Sequence, residues 1–126
     1  MIEPEVSEWC YGDYEGQRSA DIRLNNPAWN IWRDGCPGGE LPDDVRARAD
    51  RFIAGVAMLS GTVALFSHSQ FGAALAARWV GLAVAEGQHL TLHTASLSIL
   101  GCDSHHPDQR TIELWNETPA MANIGS

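Results

Sequence analysis

The strongest constraint on this chain is the order of hydrophobic patterns between residues 43 and 82. From Asp43 to Leu59 the apolar positions Val45, Ala49, Phe52, Ile53, Val56 and Leu59 share one face of a helix. Gly61 interrupts that period, and Thr62-Val63-Ala64-Leu65-Phe66 follows, a short run of β-formers suited to a buried parallel strand. Phe71, Ala74, Leu75, Arg78, Trp79 and Leu82 then resume helical spacing. Helix, strand, helix in that order predicts an α/β architecture. It puts Ser67-His68-Ser69-Gln70 where the strand ends and the second helix begins, a place where ligands collect and helix-end N–H groups favour anions.

The first of these helices carries a mixed start signal. Pro42 suits the first helical position, and Asp43 and Asp44 favour the positive end of the helix dipole. Leu41, at the cap position, has no acceptor to offer the free N–H groups, a deficit of about 1 kcal/mol.

Upstream, Glu8-Trp-Cys-Tyr-Gly-Asp-Tyr-Glu-Gly16 alternates carboxylates and aromatics between turn-forming glycines and reads as a structured loop. Trp29 and Trp32 stand at helical spacing, and Arg33-Asp-Gly-Cys-Pro-Gly-Gly39 closes that stretch as a loop. Downstream, three strands are expected over 90–94, 96–100 and 111–115. The turn-rich segment Gly101 to Asp108 would let the last two pair antiparallel.

A chain of 126 residues suits a single domain, and 44% hydrophobic residues with five Trp supply a core without disulfide staples. Cys10, Cys36 and Cys102 are an odd set without paired spacing, as expected of reduced thiols. The formal charge is −8, and all eight basic residues are arginines dispersed among carboxylates, which argues against a nucleic-acid partner. The N-terminus lacks the pattern of a secretory signal and no apolar run approaches the roughly 20 residues that span a bilayer, so a soluble, cytoplasmic protein without membrane contact is expected.

Two residues stand out chemically. His68, at the strand–helix junction, would set an imidazolium and backbone N–H groups around one phosphoryl group; the alternative is a histidine bonded to a carbonyl for structure. Glu8, among Trp9, Tyr11 and Tyr14, would be a carboxyl desolvated enough to serve as a general acid; the alternative is a solvated loop glutamate. No metal site is expected: His89 and His93 would lie about 13 Å apart along a strand, and Cys102 with His105 and His106 lacks a fourth ligand.

Five motifs in order resemble the histidine phosphatase family, which includes the cofactor-dependent phosphoglycerate mutases. They are Glu8 to Gly16; Asp34-Gly-Cys-Pro-Gly-Gly-Glu40 with Asp44-Val45 and Arg48; Leu65-Phe-Ser-His68; Phe71 to Trp79; and Thr94 to Gly101, ending in Trp115-Asn116. The resemblance implies a three-layer α/β sandwich with a mostly parallel sheet flanked by helices, and phosphoryl transfer through a phosphohistidine. It needs no cofactor and makes the substrate a small phosphorylated metabolite. Glu8 matches the family's proton donor, Tyr11 a substrate-contacting tyrosine of the mutase branch, and His68 the second active-site histidine; Ser69 and Gln70 continue the phosphate pocket.

The sequence departs from the family at informative places. The Arg-His-Gly that supplies the nucleophilic histidine does not occur, so residues 1–126 are expected to form a domain lacking its N-terminal strand and its nucleophile. Ser69 adds a Cβ where a glycine is usual, Gln70 stands where histidine or asparagine is common, and Ala73 replaces a frequent arginine. The implied function is phosphomonoester hydrolysis, with activity dependent on an N-terminal companion segment. The alternatives are a noncatalytic phosphate-binding or nonfunctional truncated homologue, and mutase-type transfer. A missing inner strand would also leave backbone unpaired and favour marginal stability or self-association.

Overall fold

A computed structural model describes residues 6–59 and 68–119. The strand expected over Thr62 to Phe66 lies outside the described residues, as does Ser67.

Among the described residues the order is a 3₁₀ turn (Gly12–Tyr14), α1 (Ser19–Asn25), α2 (Ile31–Asp34), α3 (Pro42–Ala57), α4 (Ser69–Trp79), a second 3₁₀ segment (Val84–His89), β1 (Leu97–Cys102) and β2 (Arg110–Glu117). The chain is α/β, but the sheet seen here is two-stranded and antiparallel, so a mostly parallel sheet is not what the described residues form.

Helix α3 begins at Pro42 as expected, with Leu41 in extended conformation at the cap position. The missing acceptor at Leu41 is partly offset from the other side, since its own N–H donates to Asp44 Oδ2 at 2.9 Å. The helix buries Val45, Ala49 and Ile53, and also Arg48, which lies one turn after Val45 within the apolar stripe. It stops at Ala57 rather than Leu59, tightened by i→i+3 bonds from Met58 to Gly55 O and from Leu59 to Val56 O. Leu59 is therefore exposed and not part of the core face.

Helix α4 buries Phe71 and the whole run Ala73 to Ala77. Small alanines let it approach α3 and the 84–89 segment closely, with Phe71 and Val45 fully enclosed between them. It ends in a Schellman motif: Leu82 N–H reaches Ala77 O, Gly81 N–H reaches Arg78 O, and Gly81 takes the left-handed conformation (φ 85°) that a side chain would strain. Leu82, expected on the helix, is therefore beyond its end and exposed. Arg78 ties the two helices through a bidentate pair with Asp50 at 2.9 and 3.1 Å.

Two expectations are corrected elsewhere. Trp29 and Trp32 do not share a helix: Asn30 caps the short α2 by accepting the Trp32 N–H, and Trp29 precedes it, buried, with its indole N–H on Gly35 O. Residues 90–94 are not a strand. The segment is held by side chains of β2, Trp115 Nε1 donating to Thr91 O and Asn116 Oδ1 accepting from His93 N, so its backbone groups need no ladder. The expected antiparallel pairing of the last two strands is found, with Ile99 opposite Leu114 and Leu100 opposite Ile112. No helix among the described residues is long and apolar enough to cross a membrane.

Candidate functional site

The site is organised by the first turn of α4. An α-helix leaves its first N–H groups without intrahelical partners, and a side chain at the cap normally takes one of them. His68 holds the cap position but its side chain does not cap; the ring is exposed and makes no hydrogen bond among the described residues. Glu8 caps the helix instead. Its Oε1 accepts the N–H of Phe71 at 2.7 Å and of Trp9 at 2.9 Å, and its Oε2 accepts the N–H of Gln70 at 3.2 Å.

The helix-end N–H groups expected to meet a phosphoryl group are, for Gln70 and Phe71, already bonded to the Glu8 carboxylate, whose negative charge suits the positive end of the dipole. Glu8 is thus neither a solvated loop residue nor simply enclosed by Trp9, Tyr11 and Tyr14. Each carboxylate oxygen has two lone-pair directions. Two N–H donors fill those of Oε1, whereas Oε2 receives one long bond and is the less committed oxygen.

Tyr11 and Gln70 meet beside it. The Tyr11 hydroxyl donates to Gln70 Oε1 at 2.6 Å, which leaves the Gln70 Nε2 hydrogens without a partner among the described residues. Burial, and then the charges of Glu8, Cys36 and Glu15, push the Tyr11 phenol up to about 12, so it stays a neutral donor throughout the physiological range. Ser69, the first residue of α4, is half-buried and its hydroxyl is unbonded among the described residues. Gln70 is therefore bonded to both Glu8 and Tyr11, with Ser69 and His68 next in the chain.

Beneath the loop lies an ion pair whose role the sequence did not suggest, although both partners stood in the quoted motifs. Arg48 meets Glu40 through both ends of its fork, Nε to Oε2 at 3.0 Å and Nη2 to Oε1 at 2.9 Å. Nη1 donates to Ser7 O at 2.7 Å, Nη2 reaches toward Glu8 O at 3.5 Å, and the guanidinium lies 4.1 Å from the centre of the Phe71 ring. Glu40 in turn accepts the Cys10 N–H on Oε1, while its backbone O accepts the Trp9 indole N–H. The signal available in the sequence was an arginine in the apolar stripe of α3, which a buried cation can occupy only when paired.

Comparison with known proteins agrees with the motifs. The sequence model of the histidine phosphatase superfamily (branch 1) matches residues 1–118. An acid phosphatase of Mycobacterium tuberculosis is 42% identical over 98 residues, which cover 76% of this chain and 48% of that protein. Sedoheptulose 1,7-bisphosphatase of Saccharomyces cerevisiae is 32% identical over 102 residues, covering 67% of this chain and 37% of that protein. Among solved structures, the product of a Mycobacterium tuberculosis open reading frame superposes with a TM-score of 0.84 at 36% identity, covering 93% of this chain and 60% of that one. A mycobacterial glucosyl-3-phosphoglycerate phosphatase in complex with inorganic phosphate gives 0.75 at 27% identity, covering 93% and 64%. The chain spans about half the length or less of these two curated relatives. With a family match along nearly its whole length, this α/β chain belongs to the histidine phosphatase superfamily.

Proposed function

We propose that this chain carries the acid half of a phosphomonoesterase site that acts on a small phosphorylated metabolite. Glu8 is the proton donor to the leaving alkoxide, giving up a proton from Oε2 as the ester P–O bond breaks. His68 lends positive charge and hydrogen bonds to the transferring phosphoryl group, and Ser69, Gln70 and Tyr11 line its approach. The attacking histidine, which would form the N–P bond, has no Arg-His-Gly counterpart in the sequence and comes from a companion segment. The same reading carries the three-layer sandwich with a mostly parallel sheet, the rest of which would be built outside the described residues.

The observation that supports this reading is the seat of the Glu8 carboxylate on the turn that begins with His68. It sets a carboxylate oxygen and an exposed, uncommitted imidazole at one helix end. Hydrolysis is favoured over mutase-type transfer because the relatives named above are phosphatases. Anion binding by the helix end alone is the weaker alternative, since the Gln70 and Phe71 N–H groups already hold a carboxylate.

The test is hydrolysis of p-nitrophenyl phosphate by the purified chain, with and without an added Arg-His-Gly segment, using His68→Ala and Glu8→Gln as controls. Turnover only with the segment, and lost in both variants, is the expected result. Turnover by the chain alone would place the nucleophile within it. Silence from a folded protein in both conditions would favour the noncatalytic homologue.

A further inference from the structure

We propose that the Glu40–Arg48 pair is the positioning device for Glu8, setting where its carboxylate sits on α4; this rests on the reading of Glu8 as the proton donor. The chain around Glu8 has no regular structure of its own between Ser7 and Tyr11. A carboxyl on an irregular loop wanders unless its backbone is fixed, and a displacement of about 1 Å at a reacting group can cost on the order of a hundred-fold in rate. Here the backbone is fixed from below. Arg48 holds Ser7 O and approaches Glu8 O, while Glu40 holds the N–H of Cys10, so the carbonyls before Trp9 and the N–H after it are gripped by one ion pair. The Trp9 indole adds a further tie to Glu40 O.

The other side of the device is Phe71. Its N–H is the nearest donor to Glu8 Oε1, and its ring is the surface on which the Arg48 guanidinium rests. One arginine therefore touches both the residue that supplies the carboxylate and the residue that receives it. A pair kept for packing alone would need neither contact with the backbone of Ser7 and Glu8. Arg48 is buried at 8% exposure and its fork is used in several directions at once, so a lysine, a single point of charge, cannot reproduce it.

The experiment is amide NMR on the full chain. The Gln70 and Phe71 signals are the reporters, because they bond the Glu8 carboxylate directly, and Glu8→Gln defines where they move when the charge is lost. Arg48→Lys is expected to move both signals at least halfway toward their Glu8→Gln positions while those of Ala73 to Ala77 stay in place. Glu40→Gln, which keeps shape and volume, should move them in the same direction and decides the matter should Arg48→Lys not fold. Folded variants whose Gln70 and Phe71 signals remain at their wild-type positions overturn the proposal. In the segment-supplemented assay Arg48→Lys should lower kcat about ten-fold with KM within about two-fold. The two readings fail separately: an unchanged rate in Glu8→Gln removes the acid role of Glu8, whereas unmoved amides remove the positioning role of Arg48.

Discussion

Glu8 Oε1 lies 2.7 Å from the Phe71 amide nitrogen, across 63 residues of sequence. This contact replaces the local cap that α4 lacks, because His68 at the cap position keeps its ring out of the helix end. A loop residue thereby completes a helix and the helix fixes a loop residue. The candidate acid and the candidate histidine are joined through one turn of backbone.

Removing that cap should weaken the fold as well as the chemistry. Glu8→Ala leaves the Gln70 and Phe71 N–H groups without their acceptor and is expected to cost about 1–2 kcal/mol. Urea denaturation followed by far-UV circular dichroism measures it, with an unchanged slope showing that the denatured state is unaffected.

Tyr11 should make the protein alkali-sensitive in a defined window. Its phenol is raised from 10.0 to about 12, chiefly by burial and next by the Glu8 charge, so the folded state retains a proton that the unfolded chain releases. The stabilisation is complete below about pH 10 and is lost as pH rises through 12. Absorbance at the phenolate band should show a Tyr11 transition near pH 12, and Tyr11→Phe should flatten the loss of stability over that window.

The three thiols should differ in reactivity. Burial, then the neighbouring Cys10 and Glu15, raise the Cys36 thiol to about 11, whereas Cys10 and Cys102 are exposed. At pH 8, iodoacetamide should modify Cys10 and Cys102 with Cys36 slower by at least about ten-fold, since the thiolate is the nucleophile. In guanidinium the three rates should converge, as mass mapping of the labelled peptides would show.

Gly12 should not tolerate a side chain. It sits at φ 53°, and an added Cβ would fall on backbone atoms of Pro37, Gly38 and Gly39, where the Asp13 N–H bonds Pro37 O. Gly12→Ala is expected to destabilise by about 2–4 kcal/mol, read as a lowered denaturation midpoint. Gly16→Ala, also at positive φ but with open space around the added Cβ, should cost less.

How much of this was legible in the sequence depends on what kind of partner each residue has. The bodies of α3 and α4 and the pairing of β1 with β2 follow from side-chain periodicity, which the residues themselves display. Their ends fall short of Leu59 and Leu82 because i→i+3 bonds and a left-handed glycine stop a helix where apolar spacing still continues. The alternation in residues 90–94 imitates a strand, yet its hydrogen bonds come from Trp115 and Asn116, far along the chain. Glu8 and His68 were legible as residue types in motifs. The seat of Glu8 was not, because its partners are backbone N–H groups, which every residue but proline has and which leave no mark in a sequence.

Helix α4 is clamped at its far end too, where the Trp79 indole donates to Gly101 O and the Arg110 guanidinium covers the Trp79 ring at 4.6 Å. The β1–β2 hairpin and the Glu8 loop, which share no strand or helix, are thus both fastened to one helix, at its opposite ends.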